Sequence, residues 1–178
     1  MKQLILALIF GFFSFQSPAQ LFQEVGVGAE LIYNAPIGEP GIGIRAHLHS
    51  TDYIFFSPQL FYYPGIRNIH ELYLGLSGNV KLFPDWNWTP YLTVGGFYNY
   101  WINFAASPIA NPSAHNFAGE GGIGLTKNFG CYRPFLSYRV NSKWWESNYR
   151  IGVVVYFGDC KGNKRRGNSS DCPAFTLR

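Results

Sequence analysis

The chain has 178 residues, enough for one domain, and only 13% of them are charged while 19% are aromatic. A soluble surface uses about a quarter charged residues, so this balance argues against an ordinary water-exposed globule. The formal charge of +4 does not mark a nucleic-acid-binding face either. Residues 20–157 hold eight Lys or Arg and eight Asp or Glu, and the excess lies almost wholly in residues 158–178, where Lys161, Lys164, Arg165, Arg166 and Arg178 face Asp159 and Asp171.

The first nineteen residues read as an export signal. Lys2 supplies the positive start, Leu4 to Phe15 is an apolar run, and Ser17-Pro18-Ala19 offers small residues for a cut after Ala19. The run is short for a transmembrane helix, which needs about 20 residues, and no cysteine follows the cut to receive a lipid. No other apolar run approaches that length. A membrane location would therefore demand a closed sheet, because backbone polar groups in lipid must be satisfied internally.

Eight stretches alternate with period two. The first, Phe22 to Tyr33, sets Val25, Val27, Ala29, Leu31 and Tyr33 against Glu24, Gly26, Gly28 and Glu30. The second, Gly41 to His49, sets Ile42, Ile44, Ala46 and Leu48 against Gly43, Arg45, His47 and His49. The third, Tyr53 to Tyr63, holds Pro58, which removes a ladder donor and predicts a bulge. The fourth, Ile69 to Phe83, puts Leu72, Leu74, Leu76, Val80 and Leu82 outward, with Glu71, Tyr73, Ser77, Asn79 and Lys81 inward.

The fifth, Thr89 to Trp101, turns Leu92, Val94, Tyr98 and Tyr100 outward. The sixth, Asn116 to Asn128, turns Phe117, Ile123 and Leu125 outward and Glu120 and Thr126 inward. The seventh, Tyr132 to Asn141, turns Leu136, Tyr138 and Val140 outward, with Arg133, Ser137 and Arg139 inward. The eighth, Tyr149 to Phe157, has an unbroken outer row of Tyr149, Ile151, Val153, Val155 and Phe157 opposite Arg150, Gly152, Val154 and Tyr156.

Strands of about 9 to 11 tilted residues are what a membrane barrel needs. An even number of strands places both termini on one side, taken here as the periplasm. Asn34–Pro40, Pro64–Asn68, Ile102–His115 and Ser142–Asn148 then form the outer connections, longer on average than Ser50–Asp52, Pro84–Trp88 and Phe129–Cys131 inside. Aromatics gather near strand ends. Tyr53, Trp86, Trp88, Tyr91 and Phe157 lie toward one headgroup level, and Tyr33, Tyr62, Tyr100, Trp101, Trp144 and Trp145 toward the other.

The inward charges are Glu24, Glu30, Arg45, Glu71, Lys81, Glu120, Arg133, Arg139 and Arg150. Side chains fill an eight-stranded barrel, so these groups are expected to pair as an interior network rather than line a gated ion path. His47 and His49 share an inward face but lack a third ligand, and Arg45 beside them opposes a metal cation. His70 and His115 are expected to be solvated at the outer ends. Gly119-Glu120-Gly121-Gly122-Ile123-Gly124 matches a dinucleotide fingerprint, yet no helical pattern follows it. No nucleophile elbow, zinc spacing or phosphate loop is present, and Ser107, His115 and Glu146 are rim residues without diagnostic spacing. No cofactor is expected.

Cys131, Cys160 and Cys172 fall on the expected periplasmic side, where a disulfide can persist. A pairing of Cys131 with Cys160 across the last hairpin is slightly favoured over Cys160 with Cys172. The polar segment 158–178 reads as a basic periplasmic tail, either a disordered extension or a docking segment for a periplasmic partner.

The closing stretch Tyr149–Phe157 resembles the last strand of bacterial outer-membrane barrels, and residues 20–157 as a whole resemble the OmpA and OmpX type. With the signal segment and the Cys172-Pro173-Ala174-Phe175 ending, the chain is similar to a family of small outer-membrane barrels from Bacteroidota. The resemblance implies an all-β, eight-stranded, up-and-down transmembrane barrel in contact with outer-membrane lipid. It implies a structural or surface-interaction role, with a periplasmic or cell-surface protein as partner. The alternatives are a lipid-modifying outer-membrane enzyme and a soluble periplasmic, lipocalin-like binder of an apolar ligand.

Overall fold

A computed structural model describes residues 22–65, 69–103 and 113–157. The signal segment and the tail from 158 lie outside the described residues. Eight strands follow one another: β1 (Glu24–Asn34), β2 (Glu39–His49), β3 (Ile54–Tyr63), β4 (His70–Lys81), β5 (Trp88–Ile102), β6 (His115–Lys127), β7 (Tyr132–Asn141) and β8 (Ser147–Phe157). Each pairs antiparallel with its neighbour in sequence. β8 returns to β1 through a ladder from Val25 opposite Phe157 to Asn34 opposite Asn148, which closes the barrel. Closure leaves no strand edge unpaired, the condition for placing a sheet in lipid.

Strand parity decides what each residue faces. The outward row is apolar and exposed, as at Leu31, Leu74, Val94 at 71% and Ile151, while the inward row is buried and largely polar. A soluble barrel has the reverse arrangement. The end where β1 begins and β8 finishes is the near end. The far end carries the connections 35–38, 64–69, 103–114 and 142–146. The strands reach further into these connections than the sequence predicts. β8 begins at Ser147, and the β1–β2 link is a four-residue turn with Gly38 at φ 70°.

Three expectations are corrected. No bulge forms at Pro58: Arg45 pairs with Gln59 on one side and Leu48 with Phe56 on the other, without a change of register. The missing donor is absorbed as a local gap in the ladder opposite Ala46 and His47. Tyr91 and Trp101 belong to the inward row of β5 with Phe97 and Asn99, so both are buried inside and join no outer girdle. Trp144 likewise packs at the far mouth, stacked on Trp101 with ring centres 5.9 Å apart. Tyr53, Trp86, Trp88 and Phe157 at the near end, and Tyr33, Tyr100 and Trp145 at the far end, remain exposed.

The glycine run of β6 is explained by this geometry. All of residues 119–124 lie within one strand, with no helix for a dinucleotide. At Gly124 an added Cβ would fall 2.1 Å from the Tyr91 ring, so the absent side chain makes the space that Tyr91 fills. Replacing Gly124 with Ala is expected to destabilise the barrel by about 1–3 kcal/mol through overpacking. Urea unfolding in detergent micelles measures this, and an unchanged midpoint would contradict the packing.

Candidate functional site

The interior is layered from the near end to the far end. At its centre Glu120 on β6 takes an Arg from each side. Arg139 of β7 pairs with Oε1, and Nη2 of Arg150 on β8 reaches Oε2 at 2.7 Å. Gln59 on β3 completes the set from across the lumen. Its Nε2 donates to Glu120 at 2.8 Å, and its Oε1 accepts from Arg150 at 2.9 Å. Arg139 also points at Ser77 on β4, 3.4 Å away. Four strands are thereby bridged through one carboxylate.

A second pair, Arg45 with Glu30, lies on β2 and β1 with both side chains fully buried. The guanidiniums are also covered by rings: Arg45 lies 4.2 Å over Phe135 and Arg150 lies 4.7 Å over Phe61. Charges withdrawn from water need such partners, because a buried ion without one is costly. On the far side of the network Ile32, Phe61, Tyr63, Tyr73 and Phe97 form an apolar layer with Ala118 and Trp144 against it. The lumen is thus filled by an ionic layer under an aromatic one.

The far mouth above that layer is amide-rich and acidic. Glu71 accepts from Tyr73 at 2.5 Å and from Asn99 at 2.9 Å. Glu146, in the β7–β8 connection, accepts from Asn34 at 3.0 Å and more weakly from Asn141. Burial pushes the Glu146 carboxyl above the usual range, Glu71 and Glu39 add like-charge repulsion, and the amide bonds pull the other way. Lys143 bonds to Asn116 at 2.6 Å. At the near end Glu24 pairs with Arg133 at 2.8 Å, and His47, His49, Tyr156 and Lys81 surround a cavity open at the mouth.

Of the nine inward charges expected to pair in the interior, Glu24 and Arg133 pair with each other at the near mouth, and Glu30, Arg45, Glu120, Arg139 and Arg150 are drawn into the ionic layer. Glu71 and Lys81 are not: Glu71 is held at the far mouth and Lys81 at the near one. Gln59 was not singled out from the sequence. Its signal was a long polar side chain on the inward row between Ser57 and Phe61. His70 and His115 are not simply solvated, since Tyr62 bonds to one at 2.6 Å and Tyr98 to the other at 2.5 Å.

The rim residues do not gather into one site. His115 is on the outer face, the Glu146 carboxylate is held by Asn34 and Asn141, and Ser107 lies outside the described residues. His47 and His49 meet no third metal ligand among the described residues. Cys131 is disulfide-bonded. Cys160 and Cys172, the remaining cysteines, both lie outside the described residues.

No family model matches the chain, and no curated protein does. Solved structures do. The N-terminal β-barrel domain of Pseudomonas aeruginosa OprF is similar at a TM-score of 0.63 and 17% identity, over 76% of this chain and 98% of that one. The fold is that of small outer-membrane β-barrels. A de novo designed transmembrane β-barrel matches at a TM-score of 0.52 and 15% identity, over 79% of this chain and 98% of its own. The Yersinia pestis outer membrane protein Ail matches at 0.51 and 9%, over 75% and 99%. At such identities the likeness is one of fold.

Two outcomes follow for the site. Glu120→Ala strands Arg139 and Arg150 in the lumen and is expected to lower stability by roughly 3–5 kcal/mol, read from urea midpoints in micelles. A change within error would show that the three residues do not act as a unit. Glu146→Gln keeps an acceptor for Asn34 and Asn141 while removing the repelled charge. The folded protein holds the Glu146 proton more tightly than the unfolded chain does, so the charged form counts against folding once the pH is above the carboxyl's range. The variant is therefore expected to match the wild type below the ordinary value of 4.5 and to become the more stable of the two as pH rises. A stability difference that does not vary with pH would contradict this.

Proposed function

We propose that the chain is exported by residues 1–19 and inserted in the outer membrane. Its near end and the tail from 158 would face the periplasm, and its far-end connections would be presented at the cell surface to bind another molecule. The fold shared with outer-membrane barrels supports the location. The observation that carries the role is the filled lumen. Among the described residues the Glu120 layer and the aromatic layer above it fill the lumen, which supports display of loops over conduction. What remains is a rigid closed sheet that displays loops, above all 103–114 and 142–146.

The partners that fit are the lipid around the barrel and a protein at one of its two ends, with no nucleic acid and no cofactor. The lumen is filled by its own side chains around a charged centre and the apolar surface faces outward, which speaks against a lipocalin-like carrier of an apolar ligand. A lipid-modifying role rests on His115, the exposed rim histidine bonded to Tyr98. It lacks an assembled set of partners, and we favour the non-enzymatic reading.

Orientation is the testable core. A membrane-impermeant amine reagent applied to intact cells is expected to label Lys143, which is exposed in the β7–β8 connection, and to leave Lys161 and Lys164 unlabelled until the cells are opened. The opposite pattern would overturn the surface role. Lipid A that changes in composition when the protein is produced would favour the enzyme instead.

A further inference from the structure

The strand pairing lays out a groove on the outer wall at the far end. In one outward row Tyr149 stands opposite Tyr33, and Tyr33 opposite Pro40. In the next row Leu136 stands opposite Ile151, and Leu31, Ile42 and Tyr62 follow, each on the neighbouring strand. Between the rows run Arg150, Ile32 and Gly41, whose places in their strands turn them inward, so their backbone forms the floor. The space enclosed is about 540 Å³, and no outward side chain along it is charged.

The groove slopes. Tyr62 is one residue from the far end of β3, whereas Leu136 is five residues from that of β7. It therefore starts at the rim and descends across five strands, about 19 Å at the usual strand spacing of about 4.8 Å. One leaflet's share of the hydrocarbon core is about 15 Å, so an extended acyl chain lying obliquely fits its length. The rim end is open because the β2–β3 ladder stops at Ile42 opposite Tyr62. The outer-wall residues beyond it, Pro40 and Pro64, have no N–H to leave unpaired in lipid. Tyr62 is fixed there by its 2.6 Å bond to His70 Nδ1.

What covers the groove follows from the wall it belongs to. The outward row is the apolar, lipid-facing one, and a depression in that face is filled by a chain of the lipid. Charge selects which lipid. Glu39 adjoins Pro40 and Glu71 adjoins His70, and Lys143, the one Lys or Arg among the described far-end residues, is held by Asn116 on β6. An anionic headgroup meets like charge at that rim, whereas an ammonium is attracted. We propose that one zwitterionic phospholipid of the phosphatidylethanolamine class is held here, with an acyl chain in the groove and its headgroup above Tyr62 and Pro64. The assignment rests on the membrane location given above but not on which end is outermost.

Vesicles of phosphatidylethanolamine, phosphatidylglycerol and lipid A in equal amounts supply the test. The full chain is folded into them, its insertion checked by heat-dependent gel migration, then taken up in mild detergent and weighed by native mass spectrometry. Phosphatidylethanolamine should stay on the protein in preference to the other two. Ile42→Trp and Ile151→Trp, which fill the groove from two strands, should lower the retained fraction about tenfold, the change expected for about ten lost carbon contacts. Val80→Trp, on the outer wall of β4, should leave it unchanged. An inserted protein that keeps no phospholipid, that keeps phosphatidylglycerol or lipid A instead, or that keeps as much in the groove variants as in the wild type would overturn the proposal and leave the membrane location standing. An equal loss in Val80→Trp would overturn it too, and failure to insert would overturn both.

Discussion

One carboxylate sets the terms for the rest of this molecule. Glu120 is held between Arg139 and Arg150, with Gln59 reaching it from the opposite wall. An arrangement like this cannot be assembled piecemeal, because each member buried alone is expensive and only the complete set is tolerable. The set spans β3, β6 and β8, with β7 supplying Arg139, so it also fixes which strands stand opposite one another across the lumen. Small eight-stranded barrels have just enough interior for side chains. Filling that space with charge rather than hydrocarbon frees the apolar residues for the outer wall.

The two-residue period of a strand links the inner and outer chemistry. Every polar residue that turns inward forces its neighbours outward, so the greasy belt of Leu72, Leu74, Leu76 and Val80 is a direct consequence of Tyr73, Ser77 and Asn79 facing the lumen. Size is coupled in the same way. Large inward groups such as Tyr91 and Phe135 sit opposite inward glycines at 124 and 152, where an added Cβ would fall within 3 Å of their rings. The two mouths then differ in character because different residues end the inward rows. Glutamates and asparagines end them at the far side, and histidines, a lysine and an arginine at the near side.

Much of this was legible in the sequence because alternation is a local signal. The opposed rows of β4 and β8, the strand count, the sign of each face and five members of the ionic layer all follow from reading every second residue. What escaped was non-local or rested on tertiary contact. Gln59 is unremarkable in its own strand and becomes central only when closure brings β3 opposite β6. Tyr91 and Trp101 look like girdle residues by type and position, yet their odd-numbered places in β5 turn them inward. Pro58 promised a bulge, but the loss of one donor was absorbed without a register shift because both flanking ladders stayed paired. The tyrosine partners of His70 and His115 come from sheet neighbours that no short sequence window contains.

The most direct measurement is spin-label accessibility along β4 in lipid vesicles, with single labels at Leu72, Leu74, Leu76, Gly78 and Val80, all on the outward row. If this row faces the bilayer, access to dissolved oxygen should peak near Leu76 and fall toward both ends, while access to a water-soluble paramagnetic complex should run the other way. High access to the aqueous reagent at all five positions would mean that the row faces water. The closed barrel would then be a soluble one, and its filled charged interior would need another explanation.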